Sequence, residues 1–133
     1  MQRTYRKNKG ARAKGSRAET LLLNQLTDKG YEVRRTHLSA YPDIIAWNND
    51  HVLLIEVKMR STPTGITQAK SMFKSAAKTL QFVPNNASVL CYVRFNQHWR
   101  VFKWDGLKAN EIEPIVWIGK TWAGKLIEVE EQV

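Results

Sequence analysis

Cysteine is almost missing: Cys91 is the single thiol among 133 residues. One thiol excludes an internal disulfide framework, and its place in the apolar run Val89-Leu90-Cys91-Tyr92-Val93 predicts a buried, unreactive side chain. A reducing compartment, the cytoplasm foremost, is the expected location. Long apolar runs are missing too. No stretch approaches the roughly 18 residues that a membrane-spanning helix needs. The first residues are polar and basic, which predicts no signal peptide, and no membrane partner is expected. Acid is absent from residues 1–18, where seven of the 21 basic residues stand: Arg3, Arg6, Lys7, Lys9, Arg12, Lys14 and Arg17. No internal repeat and no linker divides the chain.

What is present is ordinary globular material, 43% hydrophobic and 25% charged, in a length that suits one compact domain. The expected organisation is a flexible basic arm over 1–14, followed by a single domain over 15–133 with a C-terminal extension from about 105. The formal net charge is +9, and the seven bases up to Arg17 leave only +2 on the remainder. A basic arm on a nearly neutral body is a form that binds a polyanion. No hydrophobic face accompanies those charges, so nucleic acid is the expected partner rather than a membrane surface.

Ser16 with Glu19 three residues later has the spacing of a capping box. Leu22, Leu23 and Leu26 follow Glu19 at helical intervals, and Gly30 stands where a helix stops, so a helix is predicted over 16–29. Three strands are expected next, at 31–38, 43–47 and 51–58, with the last two forming a hairpin across Asn48-Asn49-Asp50. Val52 to Ile55 is apolar on both faces and reads as a central strand covered on both sides. Ala69, Met72, Phe73, Ala76, Ala77 and Leu80 form an amphipathic stripe that predicts a second helix over 66–80, flanked by a basic ridge of Lys70, Lys74 and Lys78. Two more strands are expected at 88–95 and 99–104. The order α-β-β-β-α-β-β specifies an α/β protein with a mixed central sheet flanked by helices.

A charged side chain in a core strand needs a reason, because burying an unpaired charge is costly. Glu56 and Lys58 end the most apolar strand and, two residues apart, share a face. Antiparallel pairing across the predicted hairpin places Asp43 opposite roughly 55–56. Two adjacent carboxylates repel unless a cation lies between them. Such a site suits Mg²⁺, with Mn²⁺ as a possible substitute. Lys58 beside it would orient or deprotonate a water, or stabilise charge on phosphate oxygens. An acid pair, a metal and a lysine make a phosphodiester-hydrolysing site. Taken singly, each residue has a plainer reading: Glu56 and Lys58 as an ion pair, Asp43 as a turn acid, Glu19 as a capping acceptor.

The set Pro42-Asp43 followed by Glu56-Val57-Lys58 resembles the PD-(D/E)xK nuclease superfamily. Lys14-Gly15-Ser16-Arg17-Ala18-Glu19, then Gly30-Tyr31-Glu32-Val33-Arg34-Arg35, Pro42-Asp43-Ile44-Ile45-Ala46 and Ile55-Glu56-Val57-Lys58-Met59-Arg60, narrow this to a resemblance to archaeal-type Holliday junction resolvases over about 14–95. The resemblance implies a restriction-endonuclease-like fold and a homodimer that nicks four-way DNA junctions in symmetric pairs. It also implies metal ligands at Glu19, Asp43 and Glu56, with Lys58 and Gln68 in the catalytic set. Ser39 is carried as a candidate catalytic residue, although the loop between Arg35 and Pro42 is shorter than in many relatives. The expected DNA contacts are the seven bases up to Arg17, then Arg34, Arg35, Arg60, Lys70 and Lys74. The aromatics Tyr92, Phe95, Trp99, Phe102, Trp104, Trp117 and Trp122 place a dimer contact in the second half of the chain. Two other functions fit the sequence: a PD-(D/E)xK nuclease acting on flap or linear DNA, and a non-catalytic DNA-binding module on the same scaffold.

Overall fold

The computed structural model describes residues 17–36, 42–62, 68, 71–74, 84–119 and 121–127. The arm, Ser16, Ser39 and Lys70 lie outside the described residues, as do the acids at Glu128, Glu130 and Glu131.

Helix α1 is described over residues 17–28. Ala18, Leu22 and Leu26 recur every four residues and are its buried stripe. Its end is a Schellman arrangement. The Tyr31 N–H donates to the Leu26 carbonyl at 3.1 Å and the Gly30 N–H to that of Thr27 at 3.0 Å. Gly30 takes the left-handed conformation this requires, at φ 91°.

Six strands form one sheet in the order β1 (Glu32–Arg35), β2 (Ile44–Trp47), β3 (Val52–Met59), β4 (Ala87–Phe95), β5 (His98–Trp104) and β6 (Ala109–Ile112). All neighbours are antiparallel except β3 and β4, which run parallel. The sheet is therefore mixed, with β3 inside it, as the apolar run Val52 to Ile55 predicts. The β2–β3 turn is closed by Asn48, whose Oδ1 accepts from the Asp50 and His51 N–H groups at 2.8 and 2.7 Å. The β4–β5 turn is shorter than expected. His98 pairs with Phe95, and Asn96 and Gln97 make a two-residue turn at φ 49° and 64°.

Alternation along β3 and β4 sends side chains to two cores. On the α1 side, Leu53, Ile55, Leu90 and Tyr92 pack with Leu22, Leu26, Tyr31 and Ile44. On the other side, Val89, Cys91 and Val93 pack with Met72, Phe73 and Phe102, and Leu54 lies against them. Met72 and Phe73 belong to the predicted second helix. Helical backbone is described at 68, 71, 72 and 74 with a turn at 73, and the remaining positions of that 66–80 prediction lie outside the described residues. Cys91 is fully buried, as expected, and burial pushes its thiol up to about 12.

The segment after 105 adds elements that the expected order did not contain. β6 extends the sheet, and β7 (Trp117–Ile118) pairs with β8 (Thr121–Trp122) in a small hairpin. The chain then returns along β6. The Glu113 N–H donates to the Lys125 carbonyl and the Ile127 N–H to that of Glu111, at 2.8 and 3.1 Å. This gives β6 a partner on its outer edge, which would otherwise invite strand pairing with other chains. No described helix is long and apolar enough to cross a membrane.

One buried hydrogen bond fastens this segment to the end of α1. The Trp122 N–H donates to the Tyr31 hydroxyl at 3.0 Å, and the Tyr31 ring lies 4.8 Å from that of Trp117. Tyr31→Phe keeps the ring and strands the N–H. It is expected to cost about 1–3 kcal/mol, the usual penalty for a buried unsatisfied donor. Urea unfolding should show a lower midpoint at an unchanged m value.

Candidate active site

The site forms where β2 begins and β3 ends. Ile44 pairs with Ile55, so Asp43, one residue before β2, faces Glu56. The backbone holds Asp43 closely. Its N–H donates to the Ile55 carbonyl at 2.8 Å, and its Oδ2 accepts from the Val57 N–H at 2.9 Å. Pro42 cannot continue the ladder as a donor, which lets the acid replace backbone pairing at this point. The Thr36 N–H donates to the Asp43 carbonyl at 3.0 Å and fixes the strand from its other side.

Glu56 and Lys58 share the Leu54 face of β3. Lys58 Nζ lies 3.1 Å from Glu56 Oε1. The Glu56 side chain is only 13% exposed, and its Oε2 is buried with no hydrogen-bond partner among the described residues. Burial raises the Glu56 carboxyl above its ordinary value. The neighbouring Asp43 charge adds to the rise, while Lys58 and Arg60 oppose it. A buried oxygen without a partner, beside a second carboxylate, suits a divalent cation, since oxygen ligands of this kind hold Mg²⁺ or Ca²⁺.

The third expected ligand is placed differently. Glu19, on α1, forms an ion pair with Arg35 on β1, Oε2 to Nε at 3.3 Å, and Arg35 also donates to the Thr20 hydroxyl. Among the described residues no group of three His, Cys, Asp or Glu side chains converges on one point. The structure thus brings together Asp43, Glu56 and Lys58, and holds Glu19 one strand away through Arg35. Gln68 lies on helical backbone and is exposed, and Lys74 is exposed on the same segment.

The expected DNA-contact residues that are described lie at the surface to differing degrees. Arg17, Arg34 and Arg60 are exposed, and Arg35 is partly buried by its pairing. Arg34 lies over the Trp47 ring at 5.9 Å and 3.9 Å from Glu32. Six of the seven aromatics expected at a dimer contact pack inside the fold. Tyr92, Phe102 and Trp122 are buried, and Trp99, Trp104 and Trp117 pack against the two cores. They therefore give no support to a dimer contact in this half of the chain.

Arg94 was not among the expected site residues. It pairs with Met59 at the end of β4, and its guanidinium lies 5.0 Å over the Trp99 ring. A visible signal existed in the parallel run Val93-Arg94-Phe95, which ends where Lys58-Met59-Arg60 ends.

The family model for archaeal Holliday junction resolvase (Hjc) matches residues 10–133. Among solved structures, Hjc of Archaeoglobus fulgidus, described as a Holliday junction resolvase from an archaeal hyperthermophile, is 27% identical. It is similar over 75% of this chain and 84% of its own, with a TM-score of 0.49. No curated protein matches the chain. A family match over nearly the whole length, on a chain that sets Asp43 against Glu56 beside Lys58, shows that this protein belongs to the archaeal Holliday junction resolvase family.

Proposed function

We propose that this protein resolves four-way DNA junctions by hydrolysing phosphodiester bonds in symmetric pairs, in a reaction that depends on Mg²⁺ and tolerates Mn²⁺. The observation that supports the chemistry is the partnerless buried oxygen of Glu56, opposite Asp43 and beside Lys58. A cation there would be held by Asp43 and Glu56, with Glu19 as a third ligand if it exchanges Arg35 for the metal. When bound, it would polarise a phosphoryl oxygen and acidify a water.

The protein's own groups do the positioning. The Val57 N–H fixes the Asp43 carboxylate at one oxygen. Lys58, anchored by Glu56, directs N–H donors toward the scissile phosphate, where they hold the attacking water or stabilise the charge that develops on phosphate oxygens. Gln68 and Ser39 enter the proposal through the family pattern alone.

Glu56 must be ionised to act as a ligand, and proton and metal compete for it. Its raised value sets the direction of the pH response. Cleavage at limiting Mg²⁺ is expected to fall on the acid side at a pH above the ordinary carboxylate value of 4.5. Saturating Mg²⁺ should move that limb to lower pH, and a limb that ignored Mg²⁺ would contradict the assignment.

Two nicks related by two-fold symmetry call for two sites at a fixed separation, so the active species is proposed to be a homodimer. The bases of the 1–14 arm, with Arg17, Arg34, Arg35, Arg60, Lys70 and Lys74, are proposed to bind phosphates. The test is a junction labelled on opposing strands. Mg²⁺ should produce paired, symmetrically placed nicks and a chelator none, at a particle mass by light scattering of about twice the 15.4 kDa chain. Unpaired nicks from a monomer would overturn the paired mechanism.

A further inference from the structure

We infer that the cleft between α1 and the carboxyl ends of β3 and β4 binds a DNA phosphodiester outside the metal site, with Arg94, braced on Trp99, as its principal donor. The inference rests on the reading of the protein as a junction nuclease. The cleft is lined by Arg17, Ala18, Leu21, Met59 and Arg94. Among the described residues, its lining holds two arginines, Arg17 and Arg94, and three apolar side chains. An apolar wall strengthens the field that the Arg94 guanidinium presents to an anion in the cleft.

Its position follows from register. Arg94 pairs with Met59, one step beyond the Val93–Lys58 pair. Strand alternation then puts Lys58 on one face of the sheet and Met59 with Arg94 on the α1 face. Both lie at the carboxyl ends of two parallel strands, the edge where open α/β sheets bind ligands. A strand of DNA crossing that edge meets Lys58 on one side and Arg94 on the other.

Arg94 is also held in place. Its guanidinium lies 5.0 Å over the Trp99 ring, and Trp99 stands opposite it on β5. Trp99 is in turn packed edge-on against buried Tyr92 at 5.7 Å between ring centres. The Arg60 N–H donates to the Arg94 carbonyl at 3.0 Å, tying the two strand ends together. A stacked guanidinium keeps its planar N–H fork while losing rotamer freedom, which lowers the entropic cost of gripping a phosphate. Trp99 is thus a positioning residue, acting through Arg94.

The experiment measures binding of a four-way junction by the full chain in chelator, across a salt series. Arg94→Gln should weaken binding and flatten the slope of log K against log salt by roughly 0.9, one phosphate contact. Arg94→Lys keeps the charge, so the slope should be retained while affinity falls, because an ammonium does not reproduce the stacked fork. Trp99→Leu should weaken affinity, and Trp99→Phe should restore it. Arg17→Gln, on the exposed start of α1, reads the same cleft if Arg94→Gln fails to fold. An unchanged salt slope in Arg94→Gln, in a protein whose wild type cuts junctions, would overturn the inference alone, and an unchanged slope in Arg17→Gln would overturn it together with the proposed Arg17 phosphate contact. A wild type that neither binds nor cuts junctions would overturn the functional reading beneath it.

Discussion

Asp43→Asn and Glu56→Gln should each leave a protein that binds four-way junctions and does not cut them. The expected loss in cutting is at least about 10²–10³-fold, the scale seen when one preorganised charge-stabilising group is removed from a site. Junction affinity in chelator should change little, because it comes mainly from bases against phosphates. Glu56→Gln carries a second signature. Burial raises the Glu56 carboxyl, so its ionised form disfavours the fold. The stability it contributes is present below its unfolded value and lost as pH rises through the folded one. Glutamine has no such loss. At about pH 8 and without metal, Glu56→Gln is expected to unfold at the same or a higher denaturant concentration than wild type, with the difference shrinking as the solution is acidified. An inactive variant that is no less stable marks a residue kept for chemistry. A variant that cut at the wild-type rate in Mg²⁺ would remove Asp43 and Glu56 from the site.

Lys58→Ala should lose cutting by a similar factor, about 10²–10³-fold, in the chemical step measured under single-turnover conditions. Because Lys58 lowers the Glu56 carboxyl by charge and hydrogen bond, its removal should shift the acid limb of the pH profile to higher pH. Lys58→Arg should keep most of that limb in place, since the charge remains, yet recover only part of the rate, since a planar guanidinium does not reproduce the compact ammonium. Normal single-turnover cutting with weaker junction binding would instead make Lys58 a phosphate clamp.

The placement of these three residues could be read before the fold was seen, because it depends on short-range rules. The period-two alternation of Glu56 and Lys58, a proline before Asp43, and a hairpin closed at Asn48 determine who faces whom within two residues. The central position of β3 followed from Leu53, Leu54 and Ile55, which demand cover on both faces. What stayed hidden depends on long-range contacts. Glu19 is held by Arg35, 16 residues away on a different element, and no local spacing announces that ion pair. The segment after 105 has short strands and little periodicity. Its structure comes from the Tyr31–Trp122 hydrogen bond across 91 residues and from pairing with β6. Gly124 belongs to the same class, since a side chain there would collide with Trp122 and Ile112, a constraint visible only in three dimensions. The aromatics of β4, β5 and the tail supply the fold's own cores, a use that composition alone does not separate from an interface.

The central claim is that this is a junction-selective, metal-dependent nuclease acting through Asp43, Glu56 and Lys58. Its most direct test sets a four-way junction, a flap and a linear duplex of matched sequence side by side, with wild type and Asp43→Asn, in Mg²⁺ and in chelator. The expected result is cutting of the junction alone, by wild type alone, in Mg²⁺ alone. Equal cutting of the flap or the linear duplex would contradict junction selectivity, and cutting by Asp43→Asn or in chelator would contradict the site.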